Sequence, residues 1–204
     1  MLVKKRQAGF SLIELMIVVM IGLVIAAFSV PGFLQALRNY RIGGDSQAIK
    51  NEILLAKMRA AANFTRSRVF FQRSNRTFRT QLWNKETDAW EDVEVGAPQP
   101  LSSGVAFGFG DMTTPPPGTQ AALGFASGCM TGSAGNPGGG TAIGGTACTM
   151  FNSRGFPVDN GGAATGENAI YITDSESVQG ATIIITGVIQ TWRAELATDT
   201  WVER

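Results

Sequence analysis

The chain has 204 residues, 17 Lys/Arg against 16 Asp/Glu, and no histidine. Its length suits one ordinary domain plus an appended segment, and its 44% apolar content fits a chain that folds. A net charge of +1 gives no global attraction to nucleic acid, and the lack of histidine removes Ser-His-Asp and Cys-His catalysis and the commonest metal ligand. There is no phosphate-binding loop and no nucleophile elbow, and acids such as Glu86, Asp88, Glu91, Asp92 and Glu94 do not follow the spacing of a calcium loop. The reading is a non-enzymatic protein with no cofactor, no metal site and no small-molecule substrate. The charge is polarised along the chain. From Arg38 to Lys85 there are 11 basic residues against two acids, and from Glu86 onward 13 acids against three arginines.

The N-terminus opens with the basic head Lys4-Lys5-Arg6, followed by an apolar run from Phe10 to Leu34 that carries one acid, Glu14. A bilayer core needs roughly 20 helical residues, so this run is long enough to span, and the basic head places the N-terminus in the cytoplasm. Three readings compete: a secretory signal peptide cleaved near Ala27 and Ser29, a plain membrane anchor, and a helix that packs with others like it. Glu14 favours the third. A carboxylate in an apolar helix costs on the order of 2.5–3.5 kcal/mol near the bilayer centre. A cut before Phe10 would create an α-amine at the same depth, able to pair with Glu14 of the next subunit and set the register of assembly.

The segment GFSLIELMIVVMIGLVIAAFSVP resembles the class III signal and hydrophobic helix of type IV pilins and type II secretion pseudopilins, over roughly residues 4–35. The resemblance implies that a prepilin peptidase removes the leader 1–9 by cutting between Gly9 and Phe10 and then methylates the Phe10 amine. It also implies assembly through Glu14 with other pilin or pseudopilin subunits, and a kink at Pro31. The mature chain would sit in the inner membrane of a bacterium with two membranes, as a single pass with its globular part in the periplasm.

Pro31-Gly32 is expected to interrupt the helix, because proline lacks a donor and clashes with the preceding turn. The helix then resumes: Ile42, Ile49, Ile53, Ala56 and Ala60 share one face, with Lys50, Lys57 and Arg59 off it. Gly43-Gly44 reads equally as a flexible point before a fresh cap at Asp45 or Ser46, or as a flaw tolerated within a packed helix. The expected organisation is a long helix over 10–63, with its membrane half at 10–34, and a β-rich domain over 64–204. The fold class is α+β, the helix packing on an antiparallel sheet domain.

Within that domain, 68–73 and 77–83 read as strands joined at Ser74-Asn75, Asn84 to Asp88 as a turn, and Trp90 to Val95 as a third strand whose acids face the basic second strand in ion pairs. Leu101 to Phe109 reads as a fourth strand. Residues 110–147 form a Gly/Pro-rich loop, with eight glycines in 128–145, a composition that buries little apolar area. Cys129 and Cys148 flank it. They are two small thiols in a reducing compartment and one disulfide in an oxidising one. Thr149 to Asn152, Asn168 to Thr173, Thr182 to Ile185 and Val188 to Arg193 complete the strands, with Gly187 as a break.

The pattern over 149–193, with Phe151, Arg154-Gly155 and Gly187 in a β context, resembles GspH/FimT-type minor pseudopilins. That likeness implies a pair of sheets wrapped on the C-terminal half of the helix. The basic set Arg66, Arg68, Arg73, Arg76 and Arg79, interleaved with Phe70, Phe71, Phe78 and Trp83, has two readings: a DNA-binding face, as in DNA-uptake minor pilins, or a solvated strand face or subunit contact. Where DNA-binding relatives carry Gly-Arg-x-Arg, this chain reads Gly187-Val188-Ile189-Gln190, which weakens the first. A membrane-anchored extracytoplasmic protein with no filament role is the remaining alternative.

Overall fold

A computed structural model describes residues 10–93, 96–196 and 199–204. The leader with Gly9, and the expected strand residues Glu94 and Val95, lie outside them. The chain forms two compact units, divided between Tyr40 and Arg41. One helix, α1 (Leu12–Ala62), belongs to both, with its later turns packed on antiparallel sheets. Pro31 and Gly43-Gly44 lie inside it, so the expected interruption at Pro31-Gly32 and the fresh cap at Asp45 or Ser46 do not occur. A Cβ at Gly43 or Gly44 would meet nothing within 4 Å, so no close contact demands glycine there. Packing of the neighbouring Ile42, Asp45 and Ser46, all buried, offsets the roughly 1 kcal/mol that each glycine costs a helix.

The second unit carries two sheets. In the first, β1 (Ser67–Gln72) lies between β2 (Thr77–Asn84) and β6 (Thr146–Phe151). β3 (Ala89–Asp92) and β4 (Gln99–Pro100) pair with β2, and β7 (Pro157–Val158) pairs with β6. The second sheet runs in the order β11 (Thr200–Glu203), β10 (Ile189–Glu195), β9 (Ser177–Ile183), β8 (Asn168–Thr173) and β5 (Ala106–Phe107). Each of these pairings is antiparallel. Between the sheets runs one core: Ile42, Ile49, Ile53, Ala56 and Ala60 of α1 meet Val69, Phe71, Phe78 and Phe151 of the first sheet and Ile170, Ile172 and Ile183 of the second. The helical face expected from 3.6-residue spacing is the face that is buried.

The expected fourth strand over 101–109 is not formed. Asp45 of α1 accepts from the backbone N–H of Ser102 at 2.9 Å and from its hydroxyl at 2.8 Å. This holds a turn closed by Val105 N–H donating to Ser102 O at 3.0 Å. The chain therefore bends, and its two ends join different sheets as β4 and β5. The expected strand over Thr182 to Ile185 is longer and earlier, because β9 begins at Ser177. Its start is hidden in sequence by polar residues that are all buried, Ser177 and Gln179 among them. Gly180 lies opposite Tyr171 of β8, and a Cβ there would fall 2.8 Å from the Tyr171 ring. The glycine lets that ring lie across the strand.

The Gly/Pro-rich segment is ordered by what it covers. Its first half, with the preceding Phe109, supplies Met112, Leu123 and Phe125 to the outer face of the second sheet, against Ala169, Tyr171, Val178 and Trp201. Its second half covers the outer face of the first sheet. Burial holds the Tyr171 phenol well above its ordinary pKa, and its hydroxyl has no hydrogen-bond partner among the described residues. A phenol raised in the fold stabilises it fully below the unfolded value near 10, and that stability is lost as pH rises through the folded value. Tyr171→Phe removes both an orphaned hydroxyl and this ionisation. Urea titrations should show unchanged or higher stability at pH 7 and a flatter decline above about pH 10 than the parent chain.

Candidate functional site

The first unit is a helix whose apolar surface has no cover. Ser11 stands at its N-cap, where its hydroxyl accepts from the Glu14 N–H at 3.2 Å. Phe10 and Phe28 are 82% and 81% exposed, and they are two of seventeen large apolar side chains exposed from Phe10 to Leu34. Leaving that many in water costs on the order of 25–50 kcal/mol at the usual value per side chain, several times the stability of a typical domain. By length and composition α1 can cross a membrane. The one hydroxyl between Leu12 and Leu34, that of Ser29, donates to the Ile25 carbonyl at 2.9 Å and so needs no outside partner. Glu14 has no such internal answer. It sits in the first helical turn, where the helix dipole favours an acid by about 0.3–1 kcal/mol. That offsets only part of the cost of a carboxylate in lipid, which is on the order of 2.5–3.5 kcal/mol near the bilayer centre and less near an end. Pro31 sits within the same exposed stretch.

Cys129 and Cys148 form a disulfide, and no cysteine is free. With Phe70 and Ile143 they make a small apolar cluster on the outer face of the first sheet. The bridge anchors the second half of the Gly-rich segment, which crosses the sheet as backbone rather than as side chains. Met130 O accepts from Arg68 at 2.6 Å, and Pro137 O accepts from the Trp90 indole at 3.0 Å. Gly132 packs against the Trp83 ring so closely that a Cβ would overlap it.

The arginines expected to share one surface are dispersed by this cover. Arg68 is 3% exposed, donates to Gln81 Oε1 at 2.8 Å and stacks 4.1 Å from the Trp90 ring. Burial, reinforced by the nearby positive charge of Arg79 and opposed by Asp92, lowers its pKa to about 9, so it stays charged at neutral pH. Arg79 of β2 pairs with Asp92 of β3 at 2.8 Å, a cross-strand ion pair of the expected kind. Arg73 and Arg76 remain exposed near the β1–β2 turn, with Arg73 5.0 Å from the Phe125 ring. Among the described residues no group of three or more His, Cys, Asp or Glu is arranged to hold a metal ion. The Asp45–Ser102 clasp and the cover over Arg68 have no local sequence signal, since each depends on contacts more than 50 residues apart in the chain.

An exposed apolar helix joined to a β domain defines a protein that is membrane-inserted, packed into an assembly by that helix, or both in turn. The prokaryotic N-terminal methylation motif matches residues 4–30, which supports a type IV pilin-like precursor, a structural protein processed by prepilin peptidase and assembled with other pilins. No curated protein and no solved structure matches the chain.

Proposed function

We propose that the chain is a minor pilin or pseudopilin of GspH/FimT type, a non-catalytic subunit of a type II secretion pseudopilus or a type IV pilus. The leader 1–9 is removed between Gly9 and Phe10, the new amine is methylated, and the mature chain enters a filament by its N-terminal helix. The observation that carries this reading is the exposed apolar surface of α1 through Leu34, with one acid four residues after Phe10. A simple anchor needs the apolar surface but not Glu14, which it would have to bury at a cost. The pair of sheets flanking the later turns of α1 and the Gly155 and Gly187 turns support the GspH/FimT assignment, and the disulfide suits a periplasmic location. The burial of Arg68 and the Arg79–Asp92 pair leave the DNA-uptake reading without a continuous basic surface.

The test is incorporation. Filaments sheared from cells and purified should contain the chain together with other pilin-type subunits. A chain that stays wholly in the inner-membrane fraction while filaments form normally would overturn the filament role.

A further inference from the structure

The last turn of α1 closes on a residue type that the turn disfavours. Thr65 N–H donates to Ala60 O at 3.2 Å and Phe64 N–H donates to Ala61 O at 3.4 Å, the paired bonds of a Schellman end. That motif puts Phe64 in the left-handed region, at φ 48°, where glycine is favoured and a Cβ is strained. Phe64 is the only aromatic residue among the five non-glycine residues with positive φ in the described part of the chain. Its ring gains little from packing in return, because the residue is 76% exposed. Backbone strain of this kind gathers at ligand-contacting sites.

Phe64 lines an open groove of about 540 Å³ between the end of α1, the β2–β3 turn and Gly135–Pro137. Arg66 and Lys85 line it too. Arg66 is half-buried, and its guanidinium has no ion pair among the described residues. Lys85 is exposed and donates to Phe64 O at 2.7 Å, which holds the strained residue and leaves two N–H groups for a ligand. Asp88 is the one acid in the lining, and its Oδ1 accepts from Gly135 N–H at 2.8 Å. The groove therefore offers localised positive charge beside an exposed aromatic ring. A free inorganic anion has no use for the ring. A nucleic-acid strand would use both, but its successive phosphates would meet Glu86, Asp88 and Glu91 on the same hairpin. A single carboxylate next to an apolar side chain fits both features without that repulsion. We propose that this groove docks an acidic segment of another protein, with a carboxylate meeting Arg66 and Lys85 and a neighbouring apolar side chain lying on Phe64.

The test uses the full chain in detergent, so neither processing nor filament assembly enters the readout. The chain is applied to an array of short peptides, each with a central Asp or Glu flanked by Leu, Ile, Val or Phe, and to a matched array with Asn or Gln at the centre. Acid peptides should be retained over their amide counterparts, and the best of them should bind saturably in fluorescence anisotropy, more weakly as salt is raised. Phe64→Gly should weaken that binding by about tenfold or more, as loss of an aromatic anchor does. The same variant should raise the thermal midpoint by about 2–4 °C, because glycine relaxes the left-handed turn. Lys85→Gln keeps a donor for Phe64 O and removes the charge, and should weaken binding by about two- to fivefold. Equal retention on the two arrays, or binding that neither variant weakens, overturns the proposal. So does tighter binding of a thymidine oligonucleotide, self-association of the chain that Phe64→Gly abolishes, or a lower midpoint for Phe64→Gly, which would show the ring packed into the fold.

Discussion

Replacing Glu14 by alanine should leave the chain in the membrane and remove it from filaments. Insertion depends on the apolar run, and the substitution removes the run's single acid, so membrane fractionation should show equal or greater insertion. On the proposed pairing, assembly loses the group that rewards correct register. The local roles of Glu14, as third residue after the Ser11 cap and as an acid at a positive helix end, are worth about 0.3–1 kcal/mol, too little to explain a carboxylate held in lipid. If the remaining cost of a few kcal/mol is met by the Phe10 amine of an adjacent subunit, incorporation should fall by about tenfold or more in competition with the parent chain. Quantitative immunoblots of sheared filaments from co-expressing cells check this. Equal incorporation of the two chains would contradict the pairing.

Loss of the buried Cys129–Cys148 bridge should lower the stability of the β domain markedly. The bridge closes a loop of 19 residues, which by chain entropy stabilises the fold by roughly 3 kcal/mol. For a unit of this size that corresponds to a fall of about 6–12 °C in thermal midpoint for Cys129→Ser with Cys148→Ser. The consequence is local as well. The anchored segment carries Met130 O and Pro137 O, the acceptors for Arg68 and Trp90, and covers Trp83. Releasing it uncovers a charged guanidinium and two indoles together, so tryptophan emission should shift to the red below the global transition. Reduction of the parent chain should do the same. An unchanged midpoint and unchanged emission would show that the segment is held by its backbone contacts alone.

How much of this was legible depended on the range of the interaction. The buried face of α1 was readable because Ile42, Ile49, Ile53, Ala56 and Ala60 repeat at helical spacing within one segment. The β1–β2 hairpin was readable for the same reason, since alternation and a short turn are local. Leu101 to Phe109 looked like one strand because nothing near it reveals Asp45, 57 residues earlier, which bends it at Ser102. The start of β9 is obscured because Ser177, Gln179 and Gly180 are poor strand signals, and the Tyr171 ring of the neighbouring strand that covers Gly180 leaves no trace in the local pattern. The composition of the Gly-rich segment predicts little burial, which fails for its first half, where Met112 and Ala126 are buried, and holds better for its second half, whose side chains are mostly exposed. Its carbonyls act instead, as acceptors for a buried arginine and an indole, and composition does not report that. The candidate assembly residues stood out because Glu14 violates its surroundings in sequence. Arg68 did not, because a buried arginine and an exposed one look alike in an alternating strand.

The central claim is that the mature chain begins at Phe10 with a methylated amine available to Glu14 of a neighbour. Mass spectrometry of the N-terminal peptide from protein purified out of its native membrane tests it directly. The account predicts a peptide that starts at Phe10 and carries one added methyl group on its α-nitrogen. A peptide that starts at Met1, or near Val30 after signal-peptide cleavage, would contradict it.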